Sequence, residues 1–387
     1  MKHAGLVVFL AVFFTVYGLV NYYIFMRGWQ AIPAGSPLRT PYLVLFLILA
    51  LAFIAGRFLE RVWLSPVSEG LVWTGSFWLA AMLYCFLAVI LLDTLRLVHH
   101  FVPFFPPAVT GAYEAAKFRI FLGVITLVVM VLAAGHLNAR HPRTKELHIA
   151  LGKAAQGADT MTIVAASDIH LGTIIGRTSL RSLVGRINAL APDLILLPGD
   201  IVDEDLGPVI RENLGETLRD LRAPLGVFAV TGNHEFIGGA EAACRYLQEH
   251  GITLLRDSVA RLPNGVMLVG REDASGRQFG GGQRKPLREI MAGVDRSAPV
   301  ILMDHQPFRL AEGAGNGVDL QLSGHTHHGQ LWPFNYITRA IYELSWGYMR
   351  KEQTGIYVSC GVGTWGPPVR TVGRPEIVRI TMKFESP

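Results

Sequence analysis

The 387-residue sequence is 51% hydrophobic with a formal net charge of +5, and its mean hydropathy of +0.35 excludes an ordinary soluble protein. Up to residue 150 it carries eleven Lys/Arg against five Asp/Glu, and beyond that 24 against 25. The basic surplus therefore lies where it meets anionic headgroups, and no nucleic-acid partner is expected. The three cysteines, Cys85, Cys244 and Cys360, show no C-x-x-C spacing, which excludes a disulfide framework or a zinc knuckle.

Residues 4–26 carry no charge, and roughly 40–56, 70–92 and 120–139 repeat the pattern, each near the ~20 residues that cross a bilayer. They predict a membrane domain over 1–140 with four helices, the second marginal in length. The first segment exceeds the ~7–15 apolar residues of a signal peptide and is expected to be retained. Four spans place both termini on one side, where basic residues number seven against five on the other. The positive-inside rule then predicts a multi-pass protein of the cell membrane whose C-terminal domain is cytoplasmic. Asp93, near the end of the third segment, is read as reaching the interface.

After the polar stretch Asn138–Arg143 the period changes, and a second domain is assigned to 141–387. Short apolar runs at Met161–Ala166, Leu194–Leu197, Val227–Val230, Val266–Val269, Val300–Met303 and Ile356–Ser359 read as buried strands. Helical patterns at Leu180–Leu190 and near 209–221, 239–249 and 286–294 lie between them, which predicts α/β architecture.

Several runs end alike. They lead into Asp168 and His170, into Asp200, into Asn233, His234 and Glu235, into His305, and, after Leu320–Leu322, into His325, Thr326, His327 and His328. Ligand sites gather at the carboxyl ends of strands, so five ends rich in Asp, Asn and His point to one place. In extended chain His325 and His327 share a face about 7 Å apart, with His328 opposite. Oxygen and nitrogen donors without thiolate favour Mn, Fe or Zn, and a carboxylate such as Asp200 can bridge two ions. Asp203, Glu204 and Asp205 read as a solvated approach to a helix.

The order D-x-H, G-D, G-N-H-E, an isolated H and then G-H-x-H resembles the calcineurin-like metallophosphoesterase superfamily, complete in type and order from Asp168 to His327. The resemblance implies a two-sheet α/β/β/α sandwich with a dinuclear centre of divalent ions, Mn²⁺ first. It assigns Asp168, His170 and His327 to one ion and Asn233, His305 and His325 to the other, with Asp200 bridging. His234 would stabilise the transition state or protonate the leaving group, with Glu235 orienting it. The tail from Pro367 to Ile377 resembles the membrane-anchored bacterial branch; Arg370 and Arg374 are candidate phosphate or headgroup contacts, or surface salt bridges. His328 contacts substrate phosphate or fills the turn. Gly361–Gly366 matches G-x-G-x-x-G, but the prolines that follow make it a tight turn rather than a dinucleotide site. The basic loop Gly276–Lys285 is a lid or a linker, and the aromatic segment Trp332–Met349 is core or membrane-apposed.

The implied activity is metal-dependent hydrolysis of a phosphoester or pyrophosphate bond, on a phosphorylated and lipid-linked or cell-envelope substrate at the bilayer. Alternatives are a phosphodiesterase for soluble nucleotides, anchored by its helices, and a non-catalytic membrane binding or transport module.

Overall fold

The computed structural model describes residues 2–280 and 282–385, so the Gly276–Lys285 loop is described except at Gly281. Contacts divide the chain into two units, Met1–Gly135 and His136–Pro387. Helices α1 (Lys2–Ala31), α2 (Arg39–Val62), α3 (Pro66–Phe101) and α4 (Tyr113–Ala139) each contain a stretch long and apolar enough to cross a membrane. Helix α2 is not marginal. It runs for 24 residues, and beyond its apolar run Arg57 and Glu60, one turn apart, pair at 2.9 Å. Gly75 brings α3 against α2, since a Cβ there would strike the backbone of Phe53. Asp93 is paired within the bundle: Arg27 lies 2.6 Å away, and the Tyr23 hydroxyl also donates to it.

The second unit holds strands β1 (Arg143–Leu151), β2 (Thr160–Ala165), β3 (Leu194–Pro198), β4 (Val227–Val230), β5 (Thr253–Leu254), β6 (Ser258–Arg261), β7 (Met267–Gly270), β8 (Val300–Met303), β9 (Leu320–Ser323), β10 (Gly347–Lys351), β11 (Thr354–Val358) and β12 (Glu376–Phe384). They form two six-stranded sheets, in the orders β1-β12-β2-β3-β4-β5 and β10-β11-β9-β8-β7-β6. Strands β2, β3 and β4 are parallel in the first sheet, and β7, β8, β9 and β11 in the second.

Alternation along each strand builds the layers. In β3, Leu194 and Leu196 face the core between the sheets, where they join Ile301, Leu320 and Ile380. Ile195 and Leu197 face outward against Leu180, Val184 and Leu247 from helices Arg177–Ala189 and Ala240–Glu249. In β7, Leu268 points inward, while Met267 and Val269 meet Leu287 and Met291 on the far side. Strands apolar on both faces read as continuous hydrophobic runs. The result is the expected α/β/β/α order of layers.

Two elements differ from their sequence patterns. The helical pattern near 209–221 is two short helices, Leu206–Arg211 and Leu214–Leu218, broken where Asn213 turns left-handed at φ 50°. Strand β12 falls in the closing tail and inserts between β1 and β2, pairing with residues some 230 positions upstream, a separation that periodicity does not report.

Candidate metal centre

Parallel strands deliver their carboxyl ends to one edge, and backbone bonds lock the loops there. Asp168 N donates to Gly199 O at 3.1 Å and His170 N to Asp200 O at 3.0 Å, which fixes the loop after β2 against the loop after β3. The Gly361–Gly366 stretch supports the same loop, with Val362 N donating to Ser167 O and Gly363 N to Asp168 O. Glycine is required at Gly199, where φ is +83° and a Cβ would lie 2.5 Å from His305 Nδ1.

All seven predicted ligands meet here. His170 Nε2 and His327 Nε2 are 3.0 Å apart, and His327 Nε2 lies 3.6 Å from Asp168 Oδ1. Asn233 Oδ1 lies 2.7 Å from His325 Nδ1 and 3.3 Å from His305 Nε2. Asp200 Oδ2 stands between the two groups, 3.1 Å from His305 Nε2 and 3.8 Å from His170 Nε2. Such spacings suit donors around an ion at roughly 2.0–2.2 Å, whose neighbouring ligand atoms fall ~3 Å apart. Asp168 Oδ2 is buried with no hydrogen-bond partner, and a buried carboxylate demands compensating positive charge. The residues fit divalent cations.

Backbone conformation aims these side chains. Asp168, His170, Asp200, His325 and His327 all have φ between 46° and 72°, a region costly for residues with a Cβ. The stretch from His325 is therefore not extended as the i, i+2 reading assumed. His327–Gly329 forms a tight helical turn, and each histidine is presented by its own left-handed residue.

Electrostatics divide the donors: His325, His327 and Asp200 are held in ligating form, whereas burial pushes the Asp168 carboxyl up and, against burial, Asp200 holds His305 well above the usual histidine range. Burial, then the charge at His305, pushes the His325 imidazole down to about 3. Burial, with His170 and the Arg370 guanidinium beside it, holds His327 well below the usual histidine range. Burial acts to raise the Asp200 carboxyl, but His305 outweighs it and holds it low. His305 Nδ1 contacts Pro198 O at 2.8 Å, which turns Nε2 toward Asp200.

His234 sits beside the cluster, its ring 4.6 Å from that of His170. Its predicted partner is wrong. Glu235 does not orient the ring; its carboxylate accepts from Ile201 N (2.7 Å), Val202 N (2.9 Å), Gly232 N (2.7 Å) and Asp200 N (3.1 Å). At the third position of helix Asn233–Gly238 it points back over the helix start, as capping carboxylates do. Asp203 takes the expected role, 3.1 Å from His234 Nδ1. It is not on a solvated approach, because the loop after β3 folds back onto Leu171. Burial alone would depress His234, yet Asp203 pushes it up to about 9.

The candidate substrate contacts part company. Arg370 is fully buried rather than in a surface salt bridge, with Nη2 3.1 Å from His327 Nδ1 and donating to Gly363 O at 2.6 Å. Arg374 is exposed, and among the described residues its backbone carbonyl accepts from Cys360 Sγ at 2.9 Å. His328 faces away onto Ser345 Oγ at 3.0 Å and the Trp346 ring.

A family model described as calcineurin-like phosphoesterase matches residues 161–329. An uncharacterized metallophosphoesterase of Aquifex aeolicus is 34% identical over 260 residues, 66% of this chain and 98% of that protein. The chain belongs to the calcineurin-like metallophosphoesterases. Another uncharacterized metallophosphoesterase, from Campylobacter jejuni, is 27% identical over 97% of this chain and 98% of its own length. A Danio rerio transmembrane protein with a metallophosphoesterase domain is 29% identical over 70% of this chain and 64% of that one. This phosphoesterase is thus a metal-dependent hydrolase of phosphoesters, of a family that uses dinuclear divalent centres, and its apolar helices associate it with a membrane.

Proposed function

We propose that Asp168, His170 and His327 hold one divalent ion, that Asn233, His305 and His325 hold a second, and that Asp200 serves both. The oxygen and nitrogen donors suit Mn²⁺ first, with iron or zinc as alternatives. When bound, such a pair supplies positive charge to phosphoryl oxygens and lowers the pKa of water at the site. His234 carries the proton for the departing oxygen. Asp203, 3.1 Å from Nδ1, keeps the Nδ1 proton and fixes the ring, so that the transferable proton is carried on Nε2. Trp365, 6.0 Å from the His234 ring, limits water on that side.

The substrate we infer is a phosphoester or pyrophosphate borne by a lipid. The observation that carries this reading is an apolar rim contiguous with the cluster. Trp332, Phe334, Tyr336, Ile337, Ile341 and Trp365 are between 41% and 60% exposed, too much apolar surface in one place to be incidental. Tyr342, next on the chain, meets the His325 ring edge to face, with centroids 6.1 Å apart. A short amphipathic helix, Phe334–Ile341, presents Phe334, Tyr336, Ile337 and Ile341 as membrane-interfacial helices do.

Full-length protein with Mn²⁺ should turn over an ester embedded in vesicles at least tenfold faster than its short-chain soluble analogue. Equal rates sink the lipid reading and leave soluble nucleotides as the better substrate class. Asp200→Asn should abolish turnover with an unchanged circular dichroism spectrum; substantial residual activity removes Asp200 from its shared position. The basic-residue bias further supports a multi-pass chain with the His136–Pro387 unit in the cytoplasm. A C-terminal reporter active only outside the cytoplasm reverses that orientation.

A further inference from the structure

The helical unit contains a cavity that neither anchoring nor the metal centre requires. It measures about 1230 Å³, above the roughly 300–1,000 Å³ of ordinary small-molecule sites. Its body is apolar, lined by Phe46 of α2, Trp78 and Val89 of α3, and Phe121, Val128 and Leu132 of α4. Along α4 the lining reaches from Tyr113 to Leu132, about 28 Å at 1.5 Å per residue. That exceeds the ~15 Å hydrocarbon depth of one leaflet.

One end is charged. Helices α1 and α3 finish where α2 and α4 begin, and there Arg27, Arg39, Arg96 and Lys117 line the cavity with only Asp93 and Glu114 as carboxylates. Asp93 is shared by Arg27 at 2.6 Å and Arg96 at 3.5 Å, and Lys117 pairs with Glu114 at 2.8 Å. Arg39 has no carboxylate partner among the described residues; it donates to Ile32 O at 3.1 Å and lies over the Trp29 ring. The Nε atoms of Arg27 and Arg39 are both buried without an acceptor. Guanidinium donors left unsatisfied at the head of a long apolar slot call for an anionic oxygen ligand attached to a hydrocarbon chain.

We propose that this cavity is a binding site for one phospholipid, with its acyl chain along Phe121 to Leu132 and its phosphate against Arg27 and Arg39. The site is separate from the metal cluster, and its test reads binding rather than turnover, so it stands or falls independently of the catalytic proposal.

The test uses native mass spectrometry of the full-length protein, released from a neutral detergent in the presence of EDTA. Probes are phosphatidylglycerol, diacylglycerol with the same chains, and glycerol 3-phosphate. One phosphatidylglycerol per chain should be retained at least tenfold more tightly than diacylglycerol, with no competition from glycerol 3-phosphate. Arg39→Gln should weaken retention about tenfold. Val89→Trp, which fills the slot away from the charges, should abolish it at unchanged helicity. Equal retention of diacylglycerol, displacement by glycerol 3-phosphate, or undiminished binding in both variants overturns the proposal. If Val89→Trp does not fold, Arg39→Gln decides alone.

Discussion

Replacing Glu235 by glutamine separates two roles that the G-N-H-E motif leaves confounded. Its two carboxylate oxygens each accept two backbone N–H groups, Ile201 and Val202 on one, Asp200 and Gly232 on the other. Glutamine keeps one oxygen and sets an NH₂ group against the remaining pair of donors. Two charge-assisted bonds are lost, at about 1.5–3 kcal/mol each, so roughly 3–6 kcal/mol disappears from a total stability of order 5–15 kcal/mol. For a unit of this size each kcal/mol moves the midpoint by about 2–4 °C. Tryptophan-fluorescence melting of the full-length protein in detergent should therefore show a fall of about 6–24 °C. Because the clamped backbone carries Asp200 and adjoins Asn233, the midpoint concentration for Mn²⁺ reactivation should rise as well. A midpoint within 3 °C of wild type, together with a large loss of kcat, refutes the clamp and returns Glu235 to service of His234.

Asp203→Asn should lower kcat by about 10²-fold, the lower end of what a positioned acid contributes, with KM and melting temperature nearly unchanged; an unaffected kcat removes Asp203 from its place behind His234. Gly199→Ala places a methyl against His305 Nδ1 in a left-handed residue, at a strain cost of about 1–3 kcal/mol, and should weaken metal retention measured by elemental analysis. Full metal content in the folded variant would show that the approach relaxes. Removing metal with EDTA should lower the melting midpoint by roughly 11–22 °C if two ions are each normally held at about 100 times their dissociation constant, about 2.7 kcal/mol per ion, and Mn²⁺ should restore both midpoint and activity. No shift on chelation would mean that the cluster folds without an ion.

The catalytic motifs were legible because each is local: an apolar run that can only be a buried strand, followed within a few residues by Asp, Asn or His. The membrane segments were legible for the same reason, since a bilayer reads about 20 consecutive side chains. The second-layer partners were not. Glu235 is adjacent to His234 in sequence, yet a helix start turns it toward backbone donors 33 to 35 positions upstream on the loop after β3. Asp203 looked solvated among its acidic neighbours until that loop folded onto Leu171. Arg370 resembled a surface donor, and only the packing of the Gly361–Gly366 turn against Asp168 buries it behind His327.

Side-chain chemistry and short-range periodicity thus determined by themselves that this chain gathers seven candidate ligands at strand ends and carries four helices long and apolar enough to cross a membrane. Tertiary structure alone decided which carboxylate serves the histidine and which clamps the loops, and it alone opened a charged-headed cavity among the four helices. Those outcomes rest on contacts between residues far apart in the chain and on left-handed backbone at the ligands, and neither leaves a periodic mark in sequence.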